Sequence, residues 1–276
     1  MDTTFGRYRL LESLGKSRFA ERFRAKSFGV EGFEAVLALD VVAPEWSSSR
    51  KFVESFVREA KLAVRLAHAN VVQVHDVGRG GGEGGESWYL ATELVEGLDL
   101  HRVLLRARAS GVRLPPEGAA YVVAELAKGL EHAHRRRDDQ LRPLGMVHGD
   151  VGPSAVMLSW EGAVKLGEFG LARAAAEGAG GTTTTVADDV AALGATLWEA
   201  LAGQLLPPDA RRVAGARVPS IERLRDDLSP ELAALVARAL GAADEARLAS
   251  ALADWHTGRC KKATAAAIMK EALADD

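Results

Sequence analysis

The sequence predicts an α+β chain in two parts, a small β-rich part followed by a larger, mainly helical one. Two patterns carry that reading. Apolar residues recur at strand spacing through the first third, and from about Leu98 the chain turns alanine-rich with apolar residues at helical spacing. The two parts meet near "ELVEGLDL", residues 93–100.

The elements follow in order. "YRLLESLG" and "FAERFRAKS" alternate around a turn, and "FEAVLALDVVAP" is a buried-strand run closed by Pro44. Phe52, Phe56, Ala60 and Ala63 or Val64 then line one face of a helix. "NVVQVHDVG" and "SWYLATELV" read as two further strands. "GRGGGEGGES" lies between them and lacks the Lys-Ser/Thr of a phosphate-cradling loop, so it reads as a flexible hairpin tip. In the second part, Tyr121, Val122, Leu126 and Leu130 fall at helical spacing. "DDVAALGATLWEALAG" and "SPELAALVARAL" are further amphipathic helices, the latter with Ser229 as N-cap and Pro230 at the first helical position. Short strand-like pieces interrupt the helices between Met146 and Leu166.

Composition narrows the function classes. Lys and Arg number 35 against 38 Asp and Glu, a formal charge of −3, which gives no footing for bulk nucleic-acid binding. The basic run Arg135–Arg137 sits beside Asp138 and Asp139 and reads as a solvated helix end. No run of 18 apolar residues suggests a membrane span, and no secretory signal pattern opens the chain. Cys260 is the single cysteine, so there is no disulfide framework or thiolate metal cluster. A soluble cytoplasmic protein is the expectation, with no nucleic acid or membrane among its partners.

Several segments appear in a telling order: "LG" at 14–15, "REAKLAVRLAHANVV" at 58–72, "VHGDVGPSAV" at 147–156, "KLGEFGLAR" at 165–173 and "DVAALGATLWEALAG" at 189–203. Together they resemble the bacterial Hanks-type protein kinases over nearly the whole chain. The resemblance implies a bilobal protein-kinase-like fold, with an N-lobe over 1–93, a hinge over 94–98 and a C-lobe over 99–276.

Against that family's pattern the catalytic positions depart. Phosphoryl transfer there is mostly positioning and charge neutralisation around ATP, so each part can be compared separately. In the glycine-rich loop Gly15 remains, while Ser17 and Ala20 replace glycines and Arg22 replaces the valine that covers adenine. Asp40 occupies the place of the ATP-binding lysine. A carboxylate about 4 Å from a phosphate charge is repelled by roughly 4 kcal/mol at an effective dielectric near 20. Glu59, at the helix-C glutamate, then loses its lysine. Beside Asp40 it should be repelled, which predicts a displaced helix or a borrowed cation.

The catalytic loop reads "HGDVGPSA". His148 and Asp150 stay, Gly149 replaces an arginine, Gly152 replaces Lys or Ser, and Ala155 replaces the metal-binding asparagine. Glu168 stands for the metal-binding aspartate, one methylene longer. Only 18 residues, 171 to 188, separate Gly170 from Asp189, and no A-P-E lies among them. Arg247 matches the arginine that pairs with the missing glutamate. The run "AAAEGAGGTTTT" reads as a flexible tether, with Thr182 to Thr185 open to modification in trans.

Taken together these departures imply a pseudokinase: no enzyme, no cofactor or metal, and a scaffold or allosteric role toward a protein partner such as an active kinase. The alternative is an atypical enzyme or nucleotide-binding switch. It would bind ATP and Mg²⁺, hold the metal on Asp150 and Glu168, and take its phosphate cation from Lys16, Arg18 or Arg22.

Overall fold

The computed structural model describes residues 3–17, 19–28, 34–82, 85–178, 184–207, 218–240 and 245–256. Two compact units emerge. The first comprises Met1–His68, Val72–Val95 and Phe169–Thr183, and the second Ala69–Val71, Glu96–Glu168 and Thr184–Asp276.

The first unit is an antiparallel six-stranded sheet in the order β1-β2-β3-β4-β6-β5. Its strands are β1 (Thr3–Phe5), β2 (Tyr8–Lys16), β3 (Ala20–Phe28), β4 (Glu34–Val42), β5 (Val74–Gly82) and β6 (Gly85–Thr92). Alternation sorts the faces. Ala25, Leu37, Leu39, Tyr89 and Ala91 pack on one side with Phe5 and Tyr8. α1 (Pro44–Ser47) and α2 (Arg50–Ala63) follow β4. Ser49 caps α2 by accepting from the Phe52 N–H, and Phe52, Phe56, Ala60 and Ala63 are its buried apolar residues.

Two expectations change here. The described part of the glycine-rich run is paired strand and not flexible: residues 78–82 pair with 85–89 in the β5–β6 ladder, and the tip itself, 83–84, lies outside the described residues. Aromatic neighbours explain the composition, since a Cβ on Gly78 would come within 2.7 Å of the Tyr89 hydroxyl and one on Gly80 within 2.7 Å of the Phe5 ring. The start of the run assigned to a tether, "AAAEG" at 174–178, belongs instead to the helix α5 (Leu171–Gly178), while 179–183 lie outside the described residues. The helix is rich in alanine, the best helix former, and it packs on α2 within the first unit.

The second unit holds a three-stranded sheet of β7 (Gly97–Asp99), β8 (Val156–Ser159) and β9 (Val164–Leu166). Around it stand α3 (Leu100–Ala109), α4 (Pro116–His134), α6 (Val186–Ala202), α7 (Pro230–Ala239) and α8 (Glu245–His256). α6 is the axis of this unit, buried from Asp189 through Ala202. Thr185 and Asp188 close a reciprocal capping box at its start, and Gly203 ends it in the left-handed conformation. At Gly194 a Cβ would come within 2.2 Å of the Ala239 carbonyl, so glycine is required for α7 to cross so closely. No described helix is long and apolar enough to cross a membrane.

Candidate active site

The first unit carries the loop, Asp40 and Glu59. A register irregularity between Ser13 and Gly15 leads β2 into the turn, and Gly15 sits at φ +135°. The Ser17 hydroxyl accepts from the N–H groups of Phe19 and Ala20, both at 3.2 Å, and the Ser17 N–H donates to the Ala20 carbonyl at 2.9 Å. The serine that replaces a glycine thus fills the turn with its own oxygen. Phe19 is buried against Trp46 of α1, ring centroids 5.2 Å apart. Trp46 in turn meets Phe52 at 5.1 Å. Arg18 lies outside the described residues. Lys16 makes a surface pair with Glu21 at 3.2 Å.

Asp40 borrows a cation. Arg22 donates through Nε to one Asp40 oxygen at 2.7 Å and through Nη2 to the other at 3.0 Å. The two departures that look independent in sequence are partners in the fold. Glu59 is buried, and its charge is met elsewhere: Arg58 donates to it at 3.2 Å and Arg173 of α5 lies 3.7 Å away.

Glu177 completes this cluster. It accepts from Ser55 at 2.8 Å and from Arg58 at 2.5 Å, with Arg173 at 3.3 Å one turn before it on α5. Arg58 holds the Glu177 carboxyl below its usual range, against the opposing effect of burial and with help from Ser55 and Arg173. Gly170 lets α5 come this close, because a Cβ there would lie 2.6 Å from the Glu59 Cβ. The i,i+4 spacing of Arg173 and Glu177 was the one sequence signal for this cluster. Trp46 and Phe19 gave none.

The second unit holds the catalytic loop. Buried Asp189 of α6 accepts from the N–H groups of His148 at 2.7 Å and Gly149 at 2.8 Å, and from His134 Nε2 at 3.0 Å. Gly149 has φ +87°, so the residue that replaces an arginine also suits a left-handed backbone. His148 donates through Nε2 to the Gly167 carbonyl at 2.7 Å and accepts at Nδ1 from the Asp150 N–H at 3.2 Å. Acceptance at Nδ1 needs the neutral ring. Burial pushes its pKa below the ordinary value, outweighing Asp189, the Gly167 carbonyl and Asp150, which pull it upward. Asp150 itself is exposed at the end of this bonded loop.

Ala155 is buried in a 3-10 turn, and its carbonyl accepts from the Gly167 N–H at 2.9 Å, which sets it beside the Glu168 segment. Glu168 has φ +59°, a conformation that costs a residue with a Cβ about 1–2 kcal/mol. For a metal, Ala155 offers no side-chain oxygen. Among the described residues no three His, Cys, Asp or Glu side chains gather as a ligand set. Mg²⁺ is often held by one or two carboxylates plus substrate phosphates, and Glu168 would be one such donor. Thr182, Thr183 and the Arg247 side chain lie outside the described residues, while Thr185 serves as the cap of α6.

The chain belongs to the protein kinase domain family, whose pattern matches residues 8–192. It is 31% identical over 285 residues to the tyrosine-protein kinase MasK of Myxococcus xanthus, covering 90% of this chain and 42% of that protein. It is 26% identical over 219 residues to the serine/threonine-protein kinase PrkC of Bacillus subtilis, covering 72% of this chain and 31% of that one. The crystal structure of the Mycobacterium tuberculosis PknI kinase domain matches with a TM-score of 0.69 and 28% identity, covering 92% of this chain and 98% of that domain. The chain spans less than half the length of these curated relatives.

These findings settle the fold as protein-kinase-like, α+β with a β-rich and a helical part. They also correct the expectation that the chain is not an enzyme, because relatives at 26–31% identity and the matching structure are named as protein kinases. Comparing position by position counted Arg22 and Asp40 as two losses, whereas the fold joins them into a held cation.

Proposed function

We propose that this domain transfers the γ-phosphoryl group of ATP to a hydroxyl of a protein partner in signalling. The observation that carries the reading is Asp150. The His148 ring and the His148 and Gly149 amides are buried and bonded, and Asp150 beside them is exposed. A carboxylate so placed can take the proton of an attacking hydroxyl, a role worth about 10²–10⁴ in rate.

In the step, the hydroxyl oxygen bonds to the γ-phosphorus, the bond to the β-phosphate oxygen breaks, and the proton passes to Asp150. ADP leaves with the electron pair of the broken bond. Asp189 acts at one remove, through the His148 and Gly149 amides that fix the loop. Glu168 would hold a Mg²⁺ ion, which neutralises charge on the phosphate oxygens when bound. The relatives are named for tyrosine and for serine or threonine, so the acceptor is assigned no further than a protein hydroxyl.

The test is label transfer from γ-labelled ATP, with Mg²⁺ or Mn²⁺, to the domain itself and to a generic basic protein. Incorporation that disappears in Asp150→Ala is the expected result. No incorporation by the wild-type chain with either metal would sink the reading.

A further inference from the structure

Arg22 and Asp40 stand directly opposite on β3 and β4, so the antiparallel register puts both side chains on one face of the sheet. On its other flank Asp40 faces Leu90 of β6. Asp40 is 5% exposed, and a charge buried there without a partner would be costly. Stability alone does not account for the pair, because apolar residues of similar volume often match or exceed a buried ion pair. What the pair does achieve is to hold a guanidinium in one plane, by two bonds, beside the position where the family pattern sets an ammonium. The sign on β4 is reversed and the cation is supplied from β3.

We propose that Arg22 is the residue that meets the phosphate chain of a nucleoside triphosphate, with Asp40 as its positioning residue. The choice of ligand rests on the phosphotransfer reading above. Arginine suits the task, being permanently charged and shaped to meet phosphate oxygens two at a time. Asp40 engages Nε and Nη2 and so fixes the direction of the fork. Lys16 is a poorer choice, since its side chain is 73% exposed and its partner Glu21 is a surface residue of the same hairpin. The exchange also explains why Glu59 is spared for the α5 cluster: in this chain the nucleotide cation is oriented by Asp40.

The experiment measures affinity for a fluorescent N-methylanthraniloyl ATP with Mg²⁺, displaced in turn by ATP, ADP and adenosine. Arg22→Met alone would strand the Asp40 charge, so the informative variant is Arg22→Met with Asp40→Leu, which replaces the pair by apolar groups. It should keep its melting temperature and lose about tenfold or more in affinity for ATP and ADP, with adenosine unchanged. Arg22→Met with Asp40→Lys moves the cation to β4 and should recover most of that loss. Unchanged ATP affinity in the Met/Leu variant, or a wild-type chain that prefers ATP no more than adenosine, would overturn the assignment. Label transfer is not part of this readout. Arg22-dependent ATP binding without transfer defeats only the phosphotransfer reading, and transfer that ignores the Met/Leu change defeats only the role of Arg22.

Discussion

Glu177 of α5 and Arg58 of α2 meet at 2.5 Å, and the same carboxylate takes the hydroxyl of buried Ser55 at 2.8 Å. This joins the segment after "EFG" to the helix that carries Glu59. With Glu59 turned to Arg58 and Arg173, α5 and α2 share one charge cluster of two acids and two bases.

Removing the centre of that cluster should loosen α5 before anything else. Glu177→Ala leaves the Ser55 hydroxyl without this acceptor and Arg58 with one carboxylate fewer. The expected loss is about 1–2 kcal/mol, discounted because Arg58 is half exposed. Hydrogen exchange should quicken at the amides of 171–178 while the β4–β6 amides keep their protection. Uniform loss across the unit would mean the cluster holds the whole sheet and not this helix.

Glu168 is bent into a left-handed backbone at φ +59° that its side chain does not favour. Glu168→Gly removes both strain and carboxylate, and should leave stability unchanged or raise it by up to about 1 kcal/mol while abolishing any metal-dependent melting shift. Glu168→Asp also relieves strain and keeps an oxygen donor, so its Mg²⁺-dependent shift in the presence of ATP should persist. A clear loss of stability in Glu168→Gly would give the side chain a structural task instead.

His148 makes stability depend on pH. Its folded pKa lies below the unfolded value of about 6.5, so above that pH its contribution is fully present. As pH falls below 6.5 the unfolded chain takes up a proton that the folded one refuses. Stability therefore declines by up to about 1.4 kcal/mol per pH unit until the folded value is reached. The groups facing it are Asp189, Asp150, His134 and the Gly167 carbonyl. Urea midpoints at pH 7.5 and 5.5 should differ more for the wild type than for His148→Phe. Equal differences would place the titration elsewhere.

Much of this was legible in the chain itself. Strand alternation and helical alanine spacing set the two-part order, and the ordered motifs placed Asp150, Ala155 and Glu168 on their loops. Partnership was not legible. Arg22 and Asp40 are 18 positions apart, and only the β3–β4 register turns them into a pair. Glu59 and Arg173 meet through a helix that its glycine- and threonine-rich flank disguised as a tether. Gly78 and Gly80 of β5 read as flexibility because the aromatic rings that crowd them, Tyr89 and Phe5, come from other strands. Local propensity reports on neighbours in sequence, and each of these departures was compensated across the fold.

Asp189 should be the least replaceable residue of the second unit. It is 1% exposed and takes three hydrogen bonds, two from amides of the Asp150 loop and one from His134. Asp189→Asn keeps the shape but turns an amide NH₂ toward one of two backbone amides, His148 or Gly149, which can only donate. At least one buried donor then loses its acceptor, at about 1–3 kcal/mol. The loop amides should exchange faster, and label transfer should fall in parallel even though Asp150 is untouched. Asp150→Ala, by contrast, should remove transfer without lowering the melting temperature, since that side chain is exposed. A melting loss in both variants alike would make Asp150 a structural anchor of the loop rather than its proton acceptor.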